Sequence, residues 1–124
     1  MLTIKNSAHF AGLWAIAILG VVALLTGCTP PGPRALLDGE QLIREGKYGP
    51  AVEKLKLATQ LLPENAQAWN HLGLANHGAG KVNDAVKAYQ QALSRNPNLP
   101  SPRYNLGLLY LEQGYPREAI DPLT

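Results

Sequence analysis

Residues 66–97 read AQAWNHLGLANHGAGKVNDAVKAYQQALSRNP, and this stretch decides the fold. It predicts two helices, near 66–78 and 83–95, separated by a break around Gly80 and closed by Pro97. Working outward, the same pattern returns on both sides. Gly39, Gly73 and Gly107 are spaced 34 residues apart, and so are Gly46, Gly80 and Gly114, and Ala51, Ala85 and Ala119. Three independent series on one period make coincidence a poor explanation. Leu72 and Gly73 recur as Leu106 and Gly107, Leu55 recurs as Tyr89 and Leu123, Ala58 as Ala92, and Pro63 as Pro97.

The period and the residue types resemble tetratricopeptide (TPR) repeats. The second repeat carries the fullest signature, with Trp69, Leu72, Gly73, Ala85, Tyr89, Ala92 and Pro97 in order. Asn76 departs from it by standing where the family usually has an aromatic; Tyr110 supplies that aromatic in the third repeat. The first repeat has Asp38 in place of a leucine and Leu42 in place of the aromatic. The resemblance covers residues 34–124 and implies an all-α, right-handed α-solenoid of helix-turn-helix repeats. Their expected bounds are 34–65, 66–99 and an incomplete 100–124. It is specific for fold and says little about function.

Each residue type has a mechanical task. Gly73 and Ala85 have to be small where the two helices of a repeat cross, while Trp69, Leu72 and Tyr89 fill the space around the crossing. Gly46, Gly80 and Gly114 fall in turns that call for a positive φ. Asn83 is expected to cap the second helix of its repeat, with Asp84 in its first turn, and Pro50 suits a first helical position. The predicted helices run near 35–45, 50–61, 66–78, 83–95 and 101–113, followed by a stub from about 117. Pro122 removes a backbone donor from that stub, and Leu106, Leu109 and Tyr110 would lack cover. The expectation is a native chain that continues with more repeats, or else a partner or second copy over this end.

The N-terminus has a different character. Lys5 precedes an apolar or small run of 16 residues from Phe10 to Leu25, the build of a secretory signal, and Leu25, Thr26, Gly27 and Cys28 follow on directly. That string resembles the lipobox of bacterial lipoproteins. The resemblance implies a signal peptide over 1–27, cleavage before Cys28, and a diacylglycerol plus an N-acyl lipid on Cys28. Two acyl chains anchor stably where one holds only marginally. Thr29, where an aspartate would retain such a protein in the inner membrane, implies an outer-membrane address facing the periplasm. Residues 28–33, with Pro30, Pro31 and Pro33, predict a short extended tether. The competing reading is an inert cysteine in an uncleaved anchor helix.

Composition narrows the function. Eleven lysines and arginines against nine acids give +2, and loss of the first 27 residues leaves +1, so no nucleic-acid partner is implied. Cys28 is the single cysteine, so no disulfide staples the domain. His9 lies in the signal; His71 and His77, six apart, lack the i, i+4 spacing of a metal pair. Gly78, Ala79, Gly80 and Lys81 fail as a phosphate loop, because no serine or threonine follows Lys81 and the segment follows a helix. Glu53, Lys54, Lys56 and Lys87 read as solvated helix faces. The expectations are no enzyme, no metal, no small-molecule substrate and no cofactor beyond the lipid on Cys28.

Function then falls to the surface. In the resembling family the first helix of each repeat lines a concave groove. Leu36, Glu40, Ile43, Gln67, Asn70, Leu74, His77, Tyr104, Leu108 and Leu111 are the candidates here. Of these only Asn70 suits a carboxylate clamp, so an apolar segment or amphipathic helix of a protein partner is the expected occupant. The plain alternative is that the leucines pack between repeats. The leading reading is a membrane-anchored scaffold in an envelope assembly of the pilus, secretion or envelope-biogenesis type. The alternatives are the N-terminal docking domain of a longer enzyme, and the same repeats on an uncleaved signal anchor.

Overall fold

Two helical hairpins and a fifth helix stack in order: α1 (Pro31–Arg44), α2 (Tyr48–Leu61), α3 (Ala66–Gly78), α4 (Val82–Arg95) and α5 (Pro100–Glu112). The computed structural model describes residues 28–115. The signal over 1–27, with Leu25, Thr26 and Gly27, lies outside the described residues, as do Ala119 and the stub from 117. Each helix packs on its sequence neighbour; in addition α1 touches α3 and α3 touches α5, whereas α2 and α4 stand apart over α3. Repetition of this stacking makes the all-α array that the 34-residue period predicts.

The hairpins close where a small residue meets a large one. Tyr89 of α4 is fully buried, and its ring fills the space that a Cβ on Gly73 of α3 would need. Leu55 of α2 does the same at Gly39 of α1. Ala85, Ala88, Tyr89 and Ala92 are the buried stripe of α4, at the i, i+3, i+4, i+7 spacing of a helix face. The core is correspondingly rich in alanine. One cluster joins Ala51, Val52 and Leu55 to Leu72, Ala75 and Ala88, and a second joins Ala85 and Tyr89 to Leu106 and Leu109.

The three turns are copies of one motif. Gly46, Gly80 and Gly114 have φ of 71°, 75° and 78°. At Gly80 the amide donates to the His77 carbonyl at 3.0 Å and the Lys81 amide to the Asn76 carbonyl at 2.8 Å, the paired bonds of a Schellman ending. Because backbone groups close this turn, α4 begins at Val82 with Lys81 as its cap residue and no capping side chain. Asn83 is therefore one residue inside the helix and not its cap, while Asp84 does lie in the first turn. Pro50 likewise sits two residues past the start of α2, still among the positions whose N–H lacks an intrahelical partner. The side-chain cap that does form is at α3, where Asn65 Oδ1 accepts from the Ala68 amide at 3.1 Å.

The extended tether expected over 28–33 is corrected to 28–30, since α1 begins at Pro31. Two prolines fit there because the first helical N–H groups have no partner to lose. Gly32 is held from the other side: a Cβ on it would come within 2.9 Å of Leu62 Cγ.

Gly73→Ala is expected to cost about 1–3 kcal/mol by overpacking against Tyr89, read as a lower urea midpoint by circular dichroism. Gly49→Ala, with open space around its Cβ, should leave the midpoint unchanged or raise it. Tyr89 also makes stability depend on alkaline pH. Its hydroxyl is buried without a hydrogen-bond partner, and burial, then the charge of Glu112, pushes its ionisation far above the ordinary tyrosine value. The folded state thus keeps a proton that the unfolded chain releases near pH 10, so stability is complete below about pH 10 and falls as pH rises above it. Tyr89→Phe should flatten that alkaline loss in urea titrations, at little cost near pH 7.

Candidate partner-binding groove

α1, α3 and α5 lie side by side, and polar side chains join them across each joint. Glu40 Oε1 of α1 is 3.4 Å from His71 Nδ1 of α3. Asn105 Nδ2 of α5 donates to Asn70 Oδ1 of α3 at 3.2 Å, and His77 Nε2 of α3 donates to Glu112 Oε2 of α5 at 2.6 Å. Asn70 with Asn105 and His77 with Glu112 are bonded to one another, whereas His71 Nδ1 is buried without a hydrogen-bond partner.

Exposed apolar surface is concentrated on α5. Tyr104 is 61% exposed, Leu108 37% and Leu111 50%, and their spacing of four and three sets them along one side of the helix. Leu37 of α1 is 56% exposed at the start of the stack. Between α1 and α3 a cavity of about 320 Å³ is lined by Ile43, Leu74 and His77 together with Tyr48 and Gly78. The Tyr48 ring occupies the place where a side chain on Gly78 would stand.

The ten groove candidates therefore divide. Tyr104, Leu108 and Leu111 are open, Gln67 of α3 is exposed, and Glu40 of α1 is half-buried near His71. Ile43, Leu74 and His77 meet in the cavity. Leu36 and Leu74 are half-buried against the core, as packing between repeats would have it. Asn70 is buried and bonded to Asn105, so it does not stand free as a carboxylate anchor. The reading of the sequence missed Leu37, Asn105, Glu112, Gly78 and Tyr48. A signal for two of them existed: Leu37, His71 and Asn105 are 34 apart, and His71 and Asn105 both reach the preceding repeat. Among the described residues no repeat precedes Leu37, which leaves it exposed. Among these residues also, no cluster of histidine, cysteine and acid could hold a metal ion, and no helix is long and apolar enough to cross a membrane.

A second set of bonds ties the repeats at the loop after α2. The Pro63 carbonyl accepts from Trp69 Nε1 at 2.8 Å and also from Arg95 Nε, while the Arg95 guanidinium lies 4.8 Å from the centroid of the Trp69 ring. Trp69 is thus a half-buried donor as well as a space filler. Arg95→Ala removes both the bond and the cation–π contact and should cost about 1–2 kcal/mol, read as a lower urea midpoint.

Residues 78–114 match a family model described as TPR repeat. The peroxisomal targeting signal receptor of Candida albicans is 31% identical over 77 residues, which are 62% of this chain and 13% of that protein. The chain thus spans about an eighth of that relative's length. A crystal structure of MamA superposes with a TM-score of 0.71 at 26% identity, covering 98% of this chain and 71% of that one. The TPR2B-domain:pHsp70 complex of yeast Sti1 superposes with a TM-score of 0.68 at 17% identity, covering 75% and 77%, a likeness of fold.

Proposed function

We propose that the chain, a tetratricopeptide repeat protein by its match over residues 78–114, is a protein-interaction scaffold and a lipid-anchored adaptor of the bacterial envelope. In this reading acylated Cys28 holds it at the outer membrane, facing the periplasm. The face of α1, α3 and α5 receives an apolar segment or amphipathic helix of another envelope protein, in an assembly of the pilus, secretion or envelope-biogenesis type.

The observation that carries the binding mode is the open row of Tyr104, Leu108 and Leu111 beside Asn105 and Glu112, which are already bonded to Asn70 and His77. An apolar partner covers that row without breaking a bond, and the row itself offers a charged peptide no opposite charge. The Sti1 structure supports a protein occupant, because there a domain of like fold is in complex with pHsp70. The anchor rests on the apolar run before Leu25, on the small residues Thr26 and Gly27, and on Cys28, which is exposed.

Two measurements test the parts separately. Cys28→Ser should abolish acyl labelling and accumulate uncut precursor; unchanged processing would return the uncleaved-anchor reading. Photo-crosslinking in cells from position 104 should capture a partner, and Leu108→Asp with Leu111→Asp should reduce that capture at least tenfold with helix content unchanged. Undiminished capture by the double variant would remove α5 from the binding face.

A further inference from the structure

The opposite side of the array holds a second site. α2 and α4 stand apart over α3, and between them lies a cavity of about 340 Å³. Trp69, Leu72 and Asn76 line it from α3 at i, i+3, i+7, and Lys87 and Ala88 line it from α4. Asn76 is 4% exposed, and its Oδ1 is buried with no hydrogen-bond partner. One period away on either side, Leu42 and Tyr110 pack against the core clusters. Asn76 thus places a polar amide, the length of Leu42 and shorter than Tyr110, where its two counterparts pack apolar carbon against the core, and it lines the cavity.

An orphaned buried acceptor is costly, by about 1–3 kcal/mol, until a donor reaches it. The cavity walls are apolar at Leu72, Ala88 and the indole, and an apolar cavity of roughly 150 Å³ already takes a benzene ring. At the rim stand Lys56 from α2 and Lys87 and Asp84 from α4, a net positive charge. Lys56 lies 3.4 Å from Glu53, while Lys87 has no ion-pair partner among the described residues.

We propose that this cavity binds the tyrosine side chain of an acidic peptide segment, the Asn76 amide turning about its Cβ–Cγ bond so that its Oδ1 accepts from the hydroxyl, the ring resting on Leu72 and Ala88, and a neighbouring carboxylate meeting Lys87 and Lys56. The site is independent of the α1, α3 and α5 face and of the membrane anchor.

Titration of the full-length protein, isotopically labelled at asparagine and tryptophan, tests it by nuclear magnetic resonance with three peptides. Acetyl-Glu-Tyr-Glu-amide should shift the Asn76 side-chain amide and Trp69 indole signals. It should bind at least threefold tighter than acetyl-Glu-Phe-Glu-amide and tenfold tighter than acetyl-Lys-Tyr-Lys-amide. Asn76→Leu should erase the difference between tyrosine and phenylalanine, and Lys87→Glu, at an exposed position, should erase the preference for acidic flanks. No shift at Asn76 and Trp69, equal binding of the first two peptides, or an unchanged tyrosine preference in Asn76→Leu would overturn the proposal. Tighter binding of free 3-(4-hydroxyphenyl)propionate than of the peptide would overturn the peptide as its source.

Discussion

Everything in this array depends on how closely two backbones approach at Gly73 and Gly39. A helix pair with ordinary side chains at its crossing is held some 8–10 Å apart, and the distance grows with the groups between. Here the glycine on one helix lets a ring or a leucine from the other lie directly on its backbone. Tyr89 covers Gly73 and Leu55 covers Gly39, while the alanines beside them keep the rest of the seam thin. The close hairpin then presents a flat, continuous edge on which the next hairpin can lie. α5 has a place to pack because Tyr89 has filled the space above Gly73 and offers its remaining surface to Leu106 and Leu109.

Joints between hairpins are built differently. Within a hairpin the contact is apolar and interlocked; between hairpins it is a thin apolar layer framed by specific bonds. Asn70 with Asn105 and His77 with Glu112 frame one side. Pro63, Trp69 and Arg95 frame the other. Such bonds fix the register of stacking without adding width. They also take up polar side chains of the α1, α3 and α5 face: Asn70, Asn105, His77 and Glu112 hold the stack together.

The fold was legible because small residues, turn glycines and repeat-ending prolines recur on a fixed period, and each has a steric reason to be there. Gly80 is readable alone, since few other residues take its φ, and its neighbours follow. Helix starts were less legible. Asn83 has the chemistry of a cap but lies one residue past a turn that backbone bonds had already closed, and Pro31 and Pro33 read as breakers because their role at a helix start shows only once Gly32 is seen lying on Leu62. The groove was half legible. Spacing put Tyr104, Leu108 and Leu111 on one side of a helix, but it gave no hint that Asn70 would meet Asn105, because that contact depends on the angle at which hairpins stack. The meaning of Asn76 was visible only as a departure from its own repeats; the vacancy beside it needed coordinates.

The early start of α1 has a consequence for freedom of rotation. Between Cys28 and the first helical residue stand only Thr29 and Pro30, and the ring of Pro30 locks one torsion while its ψ of 151° is the cap geometry of the helix. Almost all the slack at this end therefore resides in the torsions of a single threonine. Whatever holds residue 28 steers the axis of α1 as a handle steers a blade, and the direction in which the rows of α1, α3 and α5 face is settled at that handle.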